Sequence, residues 1–384
     1  MKIVQINTFS YKAAGNIMTN IHKALLENGH DSYIVWGRGR AAETDNEYCM
    51  NNFIGIHIDA ALTRITDKAG RYSIRATKHL IKWLDTIQPD IIHLHCMHGY
   101  YINLKILFEY IKKKKIRVIW TQHDCWTVTG HCAYFDMVRC DKWKNGCYDC
   151  QQIHTYPKAY IDNSKKNWKL KRKYFTGLNA TIVLPCNWLN NIIKKSFLNI
   201  YKSIVIYNGI NTEQFKPAEQ ISVRKNIVLG VAGEWTERKG LKDFIKLREL
   251  LSNDYEIVLI GLTDNQIKML PNGIRGIKRT ENIQELVEYY TQAYVFLNPT
   301  YEDNFPTTNL EALACGTPVI TYDTGGCSEC IAEGVNGYVL SKGDIKKAAE
   351  LICGKKWIYP VEFDSKNFSK NRMTRSYLEL YEKN

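Results

Sequence analysis

Residues 298–326 read NPTYEDNFPTTNLEALACGTPVITYDTGG. The segment begins where an apolar strand, Tyr294–Asn298, ends, and its first part is a polar loop. Pro306 then stands near the first turn of a helix over Thr307–Cys315, where a missing backbone N–H costs little. Gly316-Thr-Pro closes that helix and opens a second strand, Pro318–Thr321, which leads to the Gly325-Gly326 turn. Strand, helix and strand in so short a span predict a parallel crossover unit.

The alternation extends outward in both directions. Upstream, Asn226–Ala232 (NIVLGVA) and Glu256–Ile260 read as strands of the same domain. Further upstream come strands at Lys2–Ile6, Asp31–Trp36, Asp90–His95, Arg117–Gln122, Ala180–Leu184 and Ser203–Tyr207. Helices are expected at Asn16–Asn28 and about Ile102–Lys114. Continuous Val, Ile and Leu runs between helices indicate parallel strands covered on both faces. Asn208–Lys225 lacks an apolar period and contains Gly209 and Pro217, so it is read as the link between domains. The expected class is α/β, with two Rossmann-like, doubly wound domains facing a central cleft, one over 1–208 and one over 209–365. In such sheets ligands bind outside the carboxyl ends of the strands.

Composition narrows the function. The 384 residues carry 52 Lys plus Arg against 39 Asp plus Glu, and 45% are hydrophobic, which excludes a disordered or low-complexity chain. No apolar run reaches the roughly 18–20 residues that span a bilayer, and MKIVQINTF lacks the apolar stretch of a signal peptide. A cytoplasmic protein is expected. The charge is lopsided: residues 1–185 hold 27 basic and 15 acidic side chains, a balance of 27 − 15 = +12, whereas residues 186–384 balance to 25 − 24 = +1. The first half is therefore expected to face an anionic partner, such as a membrane surface or a phosphorylated substrate.

The chemistry-bearing residues lie in loops after predicted strands. The N–H groups of Thr307 and Thr308 stand at the positive end of their helix, a natural anion site. A phosphate there places Glu311, one turn further in, within reach of a ribose diol, which a carboxylate can bind through two hydrogen bonds. Asp303 supplies a second acid, eight residues earlier in the loop. Gly233–Gly240 (GEWTERKG) follows a strand and carries Arg238 and Lys239 near a helix start, where cations are disfavoured without an anion.

The 298–326 segment resembles the signature of retaining nucleotide-sugar glycosyltransferases of family 4, whose fold is called GT-B. The likeness extends over almost the whole chain, most closely to the bacterial branch that builds capsular, exopolysaccharide or lipopolysaccharide chains, in which HDCWTVTGHC and a downstream cysteine cluster recur. The resemblance implies that Glu311 binds ribose and that Lys239, aided by Arg238, neutralises the donor diphosphate. Asp303 stands where the family has Glu and would meet sugar hydroxyls. Amides near Thr307 and the Gly325–Gly326 turn would complete the pocket. It further implies that His123, at the end of a strand, faces the donor sugar and that Gly15 belongs to a loop approaching the phosphates. The last helix, about Ser369–Tyr381, would return to the first domain, so that 366–384 forms a separate tail. No catalytic metal is expected, because cations and helix dipole take that role. The acceptor is expected to be a glycan, commonly lipid-linked, met peripherally at the inner face of the membrane.

Cys132, Cys140, Cys147 and Cys150 lie in an insertion at about 125–150, the last two as CxxC. In reducing cytosol this pattern favours a closed, structural zinc site, with free thiols and disulfides as the other readings. Two rival functions use the same residues. A nucleotide-sugar epimerase or hydrolase would need an acid–base pair aimed at the sugar, which the sequence does not display. A zinc-ribbon nucleic-acid binder would leave Asp303, Glu311, Lys239 and the near-neutral second half unexplained, so no nucleic-acid partner is expected.

Overall fold

A computed structural model describes every residue except 51, 52, 222 and 384. The chain forms two compact units, Met1–Ile206 with Thr374–Asn384, and Tyr207–Met373.

The first unit contains β1 (Lys2–Phe9), β2 (Asp31–Arg38), β3 (Glu47–Cys49), β4 (Ile91–Leu94), β5 (Arg117–Thr121), β6 (Asn179–Leu184) and β7 (Lys202–Val205). They form one sheet in the order β3-β2-β1-β4-β5-β6-β7, parallel at every pairing. Its helices are α1 (Lys12–Glu27), α2 (Phe53–Thr66), α3 (Ile74–Ile87), α4 (Leu104–Lys114), α5 (Ser164–Phe175) and α6 (Asn187–Lys194). All four residues of β4 are buried, as the apolar run IIHL requires of a central strand. The strand order reverses between β1 and β4, so a crevice is expected at their carboxyl ends. Local chemistry sets the helix ends. Asn103 accepts the Ile106 N–H at 3.1 Å to cap α4, and Lys112, Lys113 and Lys114 occupy its last turn, where the dipole favours cations. Part of the basic excess is therefore explained by helix termini.

One expectation is corrected here. Gly15 lies inside α1, not in a loop. The helix starts at Lys12, four residues before the expected Asn16, and a Cβ at Gly15 would stand 2.8 Å from the Phe9 carbonyl oxygen. Glycine is thus needed for the close approach of helix to strand end.

The second unit contains β8 (Ile227–Val231), β9 (Glu256–Ile260), β10 (Ile274–Ile277), β11 (Val295–Asn298), β12 (Val319–Tyr322) and β13 (Gly337–Leu340). Their order is β10-β9-β8-β11-β12-β13, again parallel throughout, with the reversal between β8 and β11. The helices are α7 (Leu241–Leu250), α8 (Asp264–Lys268), α9 (Ile283–Gln292), α10 (Thr307–Ala314), α11 (Ile345–Gly354), α12 (Ser365–Phe368) and α13 (Lys370–Glu382). Phe244 and Leu247 of α7 and Ile352 of α11 pack with Val228, Leu259, Leu297 and Ile320 of the sheet to form the core.

The chain leaves the second unit within α13, whose later turns belong to the first. There Tyr377 and Tyr381 are buried, hydrogen-bonding Thr121 Oγ1 at 2.9 Å and His93 Nδ1 at 2.6 Å. Arg117 donates to the carbonyls of Leu380 and Tyr381, both at 2.7 Å, closing the helix's negative end. Among the described residues no helix is long and apolar enough to cross a membrane.

Candidate active site

In the second unit the loops after β8 and β11 flank the point where the strand order reverses. Lys239 ends a single 3-10 turn, Glu237–Lys239, and is followed by Gly240 at φ +76°. A Cβ on Gly240 would lie 2.2 Å from the Pro299 carbonyl oxygen, so only glycine lets these loops meet. The ammonium of Lys239 hydrogen-bonds the carboxylate of Asp303, whose other oxygen accepts the Asn304 N–H at 2.9 Å. Both side chains are mostly buried, 19% and 16% exposed, so the pair is more than a solvated surface contact.

The loop carrying Asp303 is fixed from several sides. Arg238 donates through Nη1 to the Glu302 carbonyl at 2.8 Å, and its own carbonyl accepts from the Tyr301 N–H at 2.7 Å. Buried Asp243 accepts hydrogen bonds from Tyr301 at 2.7 Å and Tyr322 at 2.9 Å. Burial, reinforced by Asp243, pushes the Tyr301 hydroxyl up to about 12, so it stays a donor at neutral pH. On the far side, Gly325 adopts φ +56°, and a Cβ there would fall 1.8 Å from the Asp303 carbonyl oxygen. The Gly326 N–H donates to Asn304 at 2.7 Å. Lys239, Arg238, Asp303, Gly325 and Gly326 are thus brought together. Asp243 and Tyr301, which do the positioning, were not among the residues expected from sequence, because a single acid in a helix's first turn carries no signal by itself.

Glu311 is placed differently. Thr307 and Thr308 open α10, whose N-cap is Pro306 and which no side chain caps, leaving its first N–H groups for another acceptor. One turn on, the Glu311 carboxylate accepts from the Tyr290 hydroxyl of α9 at 3.0 Å and also bonds Thr307. Burial raises its carboxyl above the ordinary range despite those two bonds. Among the described residues no hydrogen bond or ion pair joins Glu311 to Lys239 or Asp303. A carboxylate offers about four lone-pair positions, so Glu311 keeps acceptor capacity beyond these two donors.

In the first unit His123 follows β5, and its Nε2 lies 3.0 Å from His95 Nδ1. His95 also lies against His93, with ring centroids 4.1 Å apart and the planes tilted by 33°. Burial depresses His123 to about 4, against the opposing pull of Asp124. The imidazole is therefore neutral at pH 7. Asp124 is held by His98 Nε2 at 2.7 Å. Cys96, His98 and Asp124 have ligand atoms within 4.8 Å of one another, but His98 and Asp124 already satisfy each other.

In the insertion after β5, Cys132 and Cys147 are electrostatic neighbours of the buried Lys171 of α5. Cys132 and Cys150 are hydrogen-bonded to each other, and Cys147 Sγ accepts the Gly130 N–H at 3.1 Å. No three of the four sulfurs lie within the 4.8 Å that unites Cys96, His98 and Asp124. Beside them is a cavity of about 580 Å³, lined by Lys142, Tyr148, Lys165, Trp168 and Lys169 among others.

Comparison with known proteins agrees with this architecture. Residues 14–214 match the family described as Glycosyltransferase Family 4, and residues 226–354 match Glycosyl transferases group 1. WcaC of Escherichia coli, provisionally named a colanic acid biosynthesis glycosyl transferase, is 24% identical over 380 residues, covering 91% of this chain and 90% of its own. Sucrose-phosphate synthase from Thermosynechococcus elongatus superposes with a TM-score of 0.71 at 14% identity, covering 99% of this chain and 98% of that one. HepE of Anabaena, solved with UDP and glucose, gives 0.67 at 13% identity with complete coverage of both chains. Two parallel Rossmann-like sheets, the second with its site loops at the strand-order reversal, and family matches spanning most of the sequence lead to one assignment: the chain is a glycosyltransferase of the GT-B fold, belonging to Glycosyltransferase Family 4.

Proposed function

We propose that this enzyme transfers a sugar from a nucleoside-diphosphate sugar to a glycan acceptor during synthesis of a cell-surface polysaccharide, with retention at the anomeric carbon. The observation that carries the reading is the mostly buried Lys239–Asp303 pair, set between loops at the strand-order reversal. Lys239 meets the diphosphate, whose charge grows as the leaving group departs. The uncapped tip of α10, at Thr307 and Thr308, offers N–H groups to the same anion, and the Gly325–Gly326 turn, its Gly326 N–H donated to Asn304, borders it. Asp303 receives sugar hydroxyls. Glu311 takes the ribose diol, which lies several bonds from the pyrophosphate, so it need not touch Lys239. Arg238 serves as a positioning residue through Glu302.

His123, neutral at physiological pH, hydrogen-bonds the sugar without adding charge. The departing phosphate itself takes the acceptor hydroxyl's proton, so no protein nucleophile is assigned and no catalytic metal is required. WcaC, and the O-antigen chain mannosyltransferase RfbU of Salmonella typhimurium, support the polysaccharide context, and HepE with UDP and glucose supports the donor class. The acceptor is read as lipid-linked, met at the cytoplasmic face of the membrane, with Lys142, Lys165 and Lys169 beside its phosphate. A thermal-shift panel of UDP-, GDP- and ADP-sugars tests the donor assignment, because a ligand bound only by the folded state raises the Tm. A panel without any shift at millimolar ligand would contradict it.

A further inference from the structure

Two buried polar groups beside the cysteine insertion are incompletely satisfied among the described residues: the Lys171 ammonium of α5 has no carboxylate in contact with it, and one ring nitrogen of His131 has no partner. Lys171 is 4% exposed, and its ammonium donates to the Trp126 carbonyl at 2.6 Å while sitting 3.3 Å above the Trp126 ring. Among the described residues no carboxylate lies within ion-pair distance of it. Its electrostatic neighbours are Cys147, Asp67, Cys132 and Asp124, the two carboxylates standing beyond ion-pair distance. His131 is 2% exposed, with Nδ1 2.5 Å from Asp67, and its Nε2 is buried with no hydrogen-bond partner. Cys150 is an electrostatic neighbour of that ring. An unsatisfied buried donor is destabilising, and a buried ammonium is stabilised by a counter-charge.

We propose that Cys132, Cys140, Cys147 and Cys150 bind one zinc ion as a tetrathiolate, with Lys171 as its charge-balancing neighbour and His131 Nε2–H as a donor to it. Zinc with four thiolates carries a net charge of −2, which supplies a counter-charge for Lys171 and an acceptor for His131 Nε2–H, whereas a pair of disulfides or four neutral thiols supplies no charge. The sulfurs are already oriented by donors of the kind that surround metal thiolates: Gly130 N–H on Cys147, and Gln152 N–H on Cys150. Four thiolates close the coordination sphere, so the ion is structural and ties the insertion to α5 through Lys171. Because the sulfurs are spaced more widely than a bound ion holds them, loading requires side-chain rotation within the insertion.

The test uses the full chain and does not depend on transfer activity. Protein purified from zinc-supplemented cells should release about one zinc per chain on thiol modification, and thiol titration after denaturation should find all 12 cysteines reduced. Cobalt(II) exchanged into the chain should give sulfur-to-metal charge-transfer bands with tetrahedral d–d absorption. Cys140→His should shift those bands while keeping the metal, and Lys171→Met should weaken zinc affinity about tenfold against a competing chelator. Absence of zinc together with no cobalt–thiolate bands, or a titration finding only eight thiols, overturns the proposal. Unchanged bands in Cys140→His remove Cys140 from the ligand set as proposed.

Discussion

At the residue scale the Lys239–Asp303 pair is the point of greatest leverage. Removing Lys239 takes away the diphosphate's cation and strands a mostly buried carboxylate beside the space it served. Lys239→Ala should lower kcat/KM by about 10²–10³, the size seen when one transition-state donor is lost. Steady-state kinetics with the donor identified by thermal shift would measure it, and a loss below threefold would remove Lys239 from the mechanism. Glu311→Gln separates binding from folding. The neutral amide still accepts from Tyr290 and relieves a carboxyl that burial already raises, so the Tm should hold or rise. Nucleotide affinity should fall by roughly 1.5–3 kcal/mol, the value of hydrogen bonds to a charged group. Unchanged affinity for the free nucleotide would mean that Glu311 is only a packing residue against α9.

At the element scale the Asp303 loop is shaped by a glycine rather than by its acids. Gly325→Ala forces a Cβ to within 1.8 Å of a backbone carbonyl at positive φ, so the β12 turn or the Asp303 loop must shift. Denaturant melts should register about 2–4 kcal/mol of destabilisation, with activity lost beyond it. Gly233→Ala is the control: nothing lies within 4 Å of its Cβ, and the change should stay within about 0.5 kcal/mol. The sequence displayed the double glycine but not its reason, because the atom it avoids is twenty-two residues away in the chain. The same limit explains the unread strands. β3, β10 and β13 are sheet edges, where partial exposure breaks the continuous apolar run that revealed β4 and β5. Central strands were legible because both faces are buried. The expected link, Asn208–Lys225, looked loose for lack of periodicity, yet Arg224 within it donates to the carbonyls of Ala293 at 3.0 Å and Gly316 at 2.8 Å and lies over Tyr359. A single arginine fixing a segment through backbone carbonyls leaves no pattern to read. Tyr290 was likewise invisible as Glu311's partner, since α9 and α10 meet only through the fold.

At the scale of the whole molecule, titration and net charge make separate predictions. Burial lowers His22, His93, His95 and His123 below the ordinary histidine value. Between pH 6.5 and about 4 these four sites bind more protons in the unfolded chain than in the folded one, so the stability they contribute decreases as pH falls through that window, while His131, which burial lowers but Asp67 raises on balance, opposes them. His123 alone accounts for up to about 3 kcal/mol, and urea melts of the first unit at pH 7 and pH 5 should show the loss. The second prediction concerns the +12 balance of residues 1–185. Its lysines fall into two groups with different physical excuses. Those ending α4 answer the helix dipole, and Lys114 is paired with Asp85 at 2.7 Å. Lys165, Lys166 and Lys169 instead stand exposed in the first half of α5, where the dipole opposes cations and where no carboxylate lies within 4 Å of them among the described residues. An unfavourable placement of three cations is relieved by an anionic surface. Each basic residue close to such a surface contributes about 1 kcal/mol, so Lys165→Ala with Lys169→Ala should weaken binding to phosphatidylglycerol vesicles roughly thirtyfold. Wild-type chain should float with those vesicles at low salt and be released near 1 M, where the screening length shrinks to about 3 Å. Flotation that survives high salt, or that is equal on neutral phosphatidylcholine, would locate the attraction in apolar contacts and leave the basic half without its proposed partner.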